Sequence, residues 1–230
     1  MRTATIDNIP FELDESQVFK ALHVTSDSDY AETVRGLIKE AQSIGRPKVI
    51  YGEAYVEEKG DDFAVIDGVK FSSRVLRVNL NSAYRVFPYM ATCGRELEAW
   101  AASVGDMLAS FWADGIMQMA LGPAREAVMK RIDEEFHPGR TSTMNPGSLE
   151  DWPIEEQRPL FRLLGDVEGA IGVRLTESCL MLPKKSVSGM RFPSEANYEN
   201  CQLCPREVCP GRRAPYDKNL YNAKYRQRTT

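Results

Sequence analysis

A helical stripe of apolar residues from Arg95 to Ile132 constrains the fold of this chain more than any other sequence feature. Apolar residues recur there at the i, i+3, i+4, i+7 spacing that gives a helix one buried face. The stripe comprises Leu97, Trp100, Ala101, Val104, Leu108, Phe111, Trp112, Ile116, Met119, Ala120, Val128 and Ile132. Because proline cannot donate a backbone hydrogen bond, we expect the pair Gly122-Pro123 to break or kink the helix. The spacing indicates core packing and not a cofactor box.

Strand patterns lie on both sides of this stripe. The predicted strands are residues 48–57, 62–66, 84–92, 173–183 and 187–192, and the other predicted helices are residues 14–22, 30–44 and 153–164. The first two strands form a hairpin about a turn at 58–61, and the last two form a second hairpin about Pro183. Asp151 lies just upstream of the last helix, where Pro153 suits the first turn. Mixed helices and antiparallel hairpins predict an α+β fold.

Composition and charge exclude several classes of protein. The chain has 230 residues, 43% of them hydrophobic, and a net charge of −4, so no overall field draws it to nucleic acid or an anionic membrane. The long apolar stretch 99–124 is interrupted by Asp106, Asp114 and Gln118, which disfavours a membrane span. The N-terminus lacks the apolar core of a secretory signal. We therefore expect a cytoplasmic protein that binds neither nucleic acid nor membrane.

Motifs of common enzymes are absent from the sequence. There is no GxGxxG, GxxxxGK[ST], HExxH or GxSxG pattern, and His23 and His137 are the two histidines. Nucleophilic catalysis with a histidine base therefore has few candidates. Residues 137–152 form a loop rich in Gly, Pro, Ser, Thr and Asn, and loops of this length are often functional.

A cysteine cluster near the C-terminus is the sharpest chemical signal. Cys201, Cys204 and Cys209 lie on one turn-rich segment, and the CxxC spacing of the first two lets two thiolates face one metal. Cys179 is the first choice for a fourth ligand, and the alternatives are Cys93, a side chain other than cysteine, or an open position. The spacing alone fits an iron–sulfur cluster, a zinc ion or unligated thiols. Nearby arginines favour thiolates.

The last residues of the chain combine tyrosines with positive charges. These residues are Arg212, Arg213, Tyr216, Lys218, Tyr221, Lys224, Tyr225, Arg226 and Arg228. Such a pattern predicts a solvated terminus or an arm that docks on a partner. By organisation, we expect an N-terminal helix and hairpin segment (1–80) packed on the same domain, a core (81–195), and a cysteine-cluster and basic tail (196–230).

Residues 146–192 contain motifs that resemble those of a known protein family. The pair Pro146-Gly147, the helix ending in Phe161-Arg-Leu-Leu164, and the pattern GxxLTESxxMxPxxSVSGxxF from Gly172 to Phe192 resemble the activation domain of cobalamin-dependent methionine synthase. The phrase ATCGRELE at 91–98 and the C-terminal cysteines resemble the short, free-standing members of that family. The resemblance implies an α+β domain with a bent antiparallel sheet and flanking helices.

The resemblance also implies a function. The family binds S-adenosylmethionine over a corrinoid whose cobalt has been oxidised to the inactive cob(II) state, and methylation traps the reduced metal. This chemistry needs the methyl group and the cobalt in near-attack geometry, while the cobalt does the difficult chemistry. Because this chain has no corrinoid-binding histidine motif, cobalamin would be presented by a partner. That partner would be a corrinoid protein or a cobalamin-dependent methyltransferase, and a reductant such as flavodoxin or ferredoxin would supply the electron.

The ligand-binding residues carry over from the family in part. The resemblance points to Arg140, Asn145, Pro146, Gly147, Ser148, Glu177 and Tyr198 as the residues that bind S-adenosylmethionine. Ser148 stands where the family has a tyrosine, and Thr143 stands where it has an arginine, so Arg140 is the nearest arginine. We expect the ligand in a groove between the loop at 137–150 and the hairpin at 173–192.

Three hypotheses follow from the sequence. The first is an accessory protein that binds S-adenosylmethionine and reactivates a corrinoid-dependent methyltransferase, which leaves open whether the chain is itself an enzyme. The second is an iron–sulfur or zinc-bearing redox or docking module for a corrinoid protein that does not bind S-adenosylmethionine. The third is a zinc-stabilised interaction protein that keeps the fold alone.

Overall fold

An antiparallel sheet with helices on both faces forms the centre of the molecule. The computed structural model describes residues 1–196, 198–209 and 211–226. The strands are β1 (Arg2–Ile6), β2 (Lys48–Lys59), β3 (Phe63–Ile66), β4 (Val69–Ser72), β5 (Arg85–Thr92), β6 (Thr141–Met144), β7 (Arg174–Leu175), β8 (Met181–Leu182) and β9 (Ser186–Pro193). The helices are α1 (Glu15–Leu22), α2 (Ala31–Ile44), α3 (Arg74–Asn79), α4 (Arg95–Ser103), α5 (Met107–Phe136), α6 (Gln157–Leu164) and α7 (Val167–Ile171).

The order of strands in the main sheet is β4-β3-β2-β5-β9-β6, and β1 also pairs with β2. Strands β7 and β8 form a separate two-stranded ribbon. All of these pairs are antiparallel. The prediction of an α+β fold with an antiparallel sheet and flanking helices is therefore confirmed.

Alternation along the central strand β5 separates the two faces of the sheet. Val86 and Met90 point to one face, where they join a core built with α3, α6 and α7. Phe87 and Tyr89 point to the other face, against the C-terminal half of α5. Successive side chains of a strand point to opposite faces, so one strand serves both cores. A third cluster holds α1, α2, α4 and the N-terminal half of α5 together.

Short-range patterns predicted most elements correctly. The hairpin of β2 and β3, the strand β5, and the helices α1 and α2 are confirmed within a few residues. Asp14 caps α1, because its carboxylate accepts a hydrogen bond from the backbone N–H of Gln17 at 2.9 Å. The two histidines end α1 and α5 in the left-handed conformation, with φ of 55° at His23 and 46° at His137.

Gly122-Pro123, expected to break or kink the helix, does not break it. Helix α5 runs through Pro123. The helical stripe is instead interrupted between α4 and α5. There the carboxylate of Asp106 caps α5 by accepting a hydrogen bond from the N–H of Ala109 at 2.8 Å. Proline inside a helix costs about 3 kcal/mol. Residues beyond it, such as Val128 and Ile132, are completely buried against the sheet. The burial of several such side chains outweighs the cost of the proline, because each of them contributes about 2 kcal/mol to the free energy of unfolding.

The predicted hairpin over residues 173–192 is also wrong. Strand β9 does not return along the segment before it but lies between β5 and β6, with Met90 opposite Ser188 and Ser142 opposite Phe192. Strand β6 was predicted as loop. Both strands belong to long-range pairs, which local alternation does not specify. None of the helices in the described ranges combines the length and the apolar character that a membrane crossing requires.

Candidate functional site

A tight loop after β6 holds most of the predicted binding residues. We call residues 145–155 the PG loop. Gly147 has φ of +81°, and its N–H donates to the carbonyl of Trp152 at 2.8 Å, while the N–H of Ser148 donates to the carbonyl of Asn145 at 3.2 Å. A Cβ atom at position 147 would lie 2.7 Å from Cδ1 of Ile154. Glycine is therefore required here both for the backbone angle and for the close approach.

Asn145 fixes the start of the PG loop to the sheet. Its Nδ2 donates to the carbonyl of Ser188 at 2.7 Å and lies 3.3 Å from the hydroxyl of Tyr89. Pro146 is buried, whereas Gly147 and Ser148 are exposed. The side chain of Asn145 thus acts as an anchor on β9 and β5, and the two residues after Pro146 face outward.

A cavity lies between the PG loop and the end of the described chain, residues 198–209 and 211–226, which we call the C-terminal segment. Its volume is about 900 Å³, in the range of small-molecule sites. The residues that line it are Val75, Gly147, Ser148, Leu149, Glu150, Asp151, Pro153, Ile154, Glu155, Leu203, Cys204, Pro205, Tyr216, Asp217, Lys218 and Tyr221. The expected second wall, residues 173–192, contributes no residue to this lining. The C-terminal segment takes its place.

Asp151 connects three parts of the cavity wall. Its Oδ1 accepts hydrogen bonds from the hydroxyl of Ser73 and, at 2.8 Å, from the N–H of Val75 at the start of α3. The hydroxyl of Tyr221 donates to its Oδ2 at 3.4 Å. Asp151 therefore joins the PG loop to α3 and to the C-terminal segment.

Two buried polar side chains lie beside the PG loop. Glu199 forms a bridge with Thr143, so the segment 198–200 runs along β6. The hydroxyl of Tyr198 and the Oδ1 of Asn200 are buried without a hydrogen-bond partner among the described residues. Burial raises the pKa of Tyr198, which stays protonated. Because buried polar atoms are nearly always paired, these two atoms fit a place that a polar ligand or water completes.

The structure places five of the seven predicted ligand residues in or near the PG loop, and two of these, Gly147 and Ser148, are in the described cavity lining. Asn145, Pro146, Gly147 and Ser148 form the PG loop, and the amide Nδ2 of Asn200, two residues after Tyr198, donates to Oδ1 of Asn145 at 3.4 Å. The other two lie elsewhere. Arg140 precedes β6 and Glu177 lies in the exposed turn between β7 and β8; neither lines the cavity.

The four cysteines predicted as metal ligands do not form one group. Cys179 is buried in the β7–β8 turn with φ of 62°, not on a strand beside β9. Cys201 and Cys204 share a turn, closed by the Cys204 N–H and the Cys201 carbonyl at 3.3 Å. Among the described residues, no group of three or more histidine, cysteine, aspartate or glutamate side chains lies together in a way that could hold a metal ion. In this arrangement the cysteines fit neither an iron–sulfur cluster nor zinc, and the metal centre stays a prediction.

The cysteine turn is nevertheless an ordered part of the cavity wall. The guanidinium of Arg212 donates to the carbonyl of Cys201 at 3.2 Å, and the N–H of Arg213 donates to the Sγ of Cys201 at 3.4 Å. That backbone hydrogen bond is the main cause that lowers the pKa of Cys201. Cys204 lines the cavity, whereas Cys209 does not.

Sequence reasoning missed the cavity wall that the C-terminal segment supplies. The tail was expected to be solvated or to dock on a partner, but Tyr225 is completely buried and its hydroxyl donates to Oδ1 of Asn79 at 3.0 Å. The ammonium of Lys224 donates to the same oxygen at 2.9 Å. The spacing of Tyr221 and Tyr225 among the charges is the sequence signal of this packing, since both fall on one side of a helical turn.

Comparisons with known proteins agree with this architecture. Residues 132–208 match the family model described as "Vitamin B12 dependent methionine synthase, activation domain". This range contains β6, the PG loop, β9 and two of the clustered cysteines. No curated protein matches the chain.

A solved structure extends the likeness to most of the chain. The crystal structure of the MetH reactivation domain bound to AdoHcy superposes with a TM-score of 0.61 at 15% identity and covers 86% of this chain and 81% of that one. At this identity the likeness concerns the fold. Together, the family match over residues 132–208 and the shared fold confirm the resemblance of this chain to the activation domain of vitamin B12-dependent methionine synthase.

Proposed function

We propose that this chain binds S-adenosylmethionine in the cavity between the PG loop and the C-terminal segment and serves the reactivation of a corrinoid-dependent methyltransferase. The observation that carries the proposal is the position of Gly147 and Ser148: they lie in the matched segment and form part of the wall of this cavity. The solved relative with the same fold was crystallised with AdoHcy, the demethylated form of this ligand.

The residues of the cavity suit the parts of the ligand. Exposed backbone at Gly147 and Ser148 offers polar groups at a point where no large side chain blocks approach. Tyr216 and Tyr221 offer aromatic faces for an adenine ring. The unpartnered Tyr198 hydroxyl and Asn200 Oδ1 offer a donor and an acceptor beside the same loop.

The reaction needs a partner that holds the corrinoid. A reductant such as flavodoxin or ferredoxin would supply one electron to the cob(II)alamin of the partner. The reduced corrinoid would then accept the methyl group, with S-adenosylhomocysteine as the leaving group that keeps the electron pair of the broken carbon–sulfur bond. The role of this chain is to hold the ligand rigidly at its surface so that methyl group and cobalt meet in the reactive geometry. A free-standing accessory context is part of this proposal.

Transfer of a labelled methyl group tests the proposed function. The protein is mixed with a corrinoid methyltransferase from the same source, poised at cob(II), a one-electron reductant and methyl-labelled S-adenosylmethionine. We expect label on cobalt only when all components are present. Calorimetric titration with S-adenosylmethionine alone tests binding separately. Absence of both binding and transfer would refute the proposal.

Thiol protection tests the placement of the ligand. Cys204 and Cys209 are both half-buried, but only Cys204 lines the cavity among the described cysteines. We expect saturating S-adenosylmethionine to slow alkylation of Cys204 by iodoacetamide at least about tenfold, because a bound ligand covers its side of the wall. Cys209 serves as the internal control in peptide mass spectrometry. Equal rates for Cys204 with and without ligand would move the ligand out of this cavity.

A further inference from the structure

The walls of the cavity carry an excess of negative charge. Among the described residues that line it, four have carboxylates and one has an ammonium group. The carboxylates are those of Glu150, Asp151, Glu155 and Asp217, and the ammonium is that of Lys218. Glu150 and Glu155 are exposed on the PG loop and form no ion pair with any described residue, so their charge acts on whatever enters the cavity.

The arginines of the C-terminal segment do not neutralise this charge. The guanidinium of Arg212 is used by backbone carbonyls, among them those of Cys201 and Ala214, at 3.2 and 3.3 Å. Arg213 pairs with Glu199 at 2.8 Å. Neither arginine lines the cavity. The guanidinium groups of Arg212 and Arg213 are therefore engaged within the C-terminal segment, and carboxylates outnumber ammonium groups in the described lining of the cavity.

Two tyrosines add to the attraction for a cation. Tyr216 and Tyr221 line the same cavity and are 48% and 39% exposed, so part of each side chain remains accessible. The face of an aromatic ring carries partial negative charge and attracts cations. Carboxylates and aromatic faces in one cavity are the combination that favours a positively charged ligand over a neutral one of the same shape.

We propose that these walls select S-adenosylmethionine over S-adenosylhomocysteine by charge, a proposal that rests on the function proposed above. At neutral pH the methylated sulfur is a sulfonium cation, and S-adenosylmethionine carries a net charge of about +1, whereas S-adenosylhomocysteine has a neutral thioether and no net charge. Loss of the methyl group thus removes the charge that the walls attract. The domain would hold its methyl donor and release the product, so that the cavity is free for the next donor.

Three ligands of nearly the same shape separate charge from size. They are S-adenosylmethionine, S-adenosylhomocysteine and sinefungin, in which a carbon bearing a positively charged amino group replaces the methylated sulfur. We expect calorimetry at low salt to give S-adenosylmethionine and sinefungin a Kd about tenfold lower than that of S-adenosylhomocysteine. The ratio should shrink when salt is raised from about 0.05 M to about 1 M, because the Debye length falls to about 3 Å.

Substitution of the two glutamates tests the assignment to residues. We expect the double variant Glu150→Gln and Glu155→Gln to lower the preference about threefold, while affinity for S-adenosylhomocysteine stays within about twofold. The control is Glu126→Gln on the exposed side of α5, which removes the same charge away from the cavity. The control should leave the preference unchanged.

The possible outcomes each decide the proposal. Equal affinity for the three ligands, or sinefungin binding as weakly as S-adenosylhomocysteine, would overturn charge selection while leaving ligand binding intact. A preference that the double variant does not change would overturn the role of Glu150 and Glu155. Failure of all three ligands to bind would instead refute the proposed function on which this inference rests.

Discussion

Replacement of Gly147 by valine is expected to abolish binding of S-adenosylmethionine. Gly147 has φ of +81°, where a β-branched residue is strained, and a Cβ atom would lie 2.7 Å from Cδ1 of Ile154. Gly147 and Ile154 both line the cavity, so this substitution would displace the loop at the proposed binding site. We expect the Kd to rise at least about a hundredfold in calorimetry, which corresponds to about 3 kcal/mol.

A second glycine provides a matched control for backbone strain. Gly139 has φ of +70°, and a Cβ atom there would meet no atom within 4 Å. Gly139→Val thus imposes a similar backbone strain outside the cavity lining. We expect this variant to fold and to bind with an affinity within about threefold of the parent protein. If Gly147→Val folds, as circular dichroism reports, and binds as well as Gly139→Val, the PG loop is not part of the binding site.

Replacement of Tyr225 by alanine is expected to lower the free energy of unfolding more than Tyr225→Phe or the surface substitution Tyr84→Ala does. Tyr225 is completely buried in the core that α3 and α6 share, and its ring packs edge-on against Tyr198 with centroids 6.3 Å apart. Burial raises the pKa of its hydroxyl to about 12, so the group stays neutral and keeps its hydrogen bond to Asn79. Truncation of a buried aromatic side chain lowers the free energy of unfolding by about 3–5 kcal/mol. Urea denaturation measures this loss.

Tyr225→Ala should also weaken ligand binding, because the side chain anchors the segment that forms one cavity wall. The matched control is Tyr84→Ala, since Tyr84 is 77% exposed and contacts the ammonium of Lys59. We expect the control to cost less than about 1 kcal/mol. Tyr225→Phe should cost about 1 kcal/mol, because Oδ1 of Asn79 still accepts from Lys224. A cost below about 1 kcal/mol for Tyr225→Ala would show that the C-terminal segment is not anchored in the core.

Local patterns explain the elements that were predicted correctly. The hairpin of β2 and β3 follows from two alternating runs around a short turn, and α1 follows from an apolar face after Asp14. The PG loop was found because its residues match a family motif at fixed spacing. Each of these signals lies within a short stretch of chain. It can therefore be recognised in the sequence without the rest of the fold.

The predictions that failed concern elements whose positions depend on contacts between distant parts of the chain. The tertiary contacts of α5 keep it intact at Pro123, although proline is unfavourable there. Strand β9 pairs with β5 and β6 rather than with its neighbour in sequence, because its two faces complete two cores at once. The sequence also did not indicate that the C-terminal segment lines the cavity beside the PG loop, because it does not state which distant segment reaches that loop.

The sequence by itself determined the fold class, the family resemblance and the PG loop, because each depends on residues that are close along the chain. Tertiary structure alone decided the position of β9, the continuity of α5 and the identity of the cavity wall. It also decided that Asp151 ties the PG loop to α3 and to Tyr221. The physical reason is that a side chain stabilises the fold through the residues that bury it or form hydrogen bonds with it. Where those residues lie far away along the chain, only the folded structure shows which ones they are.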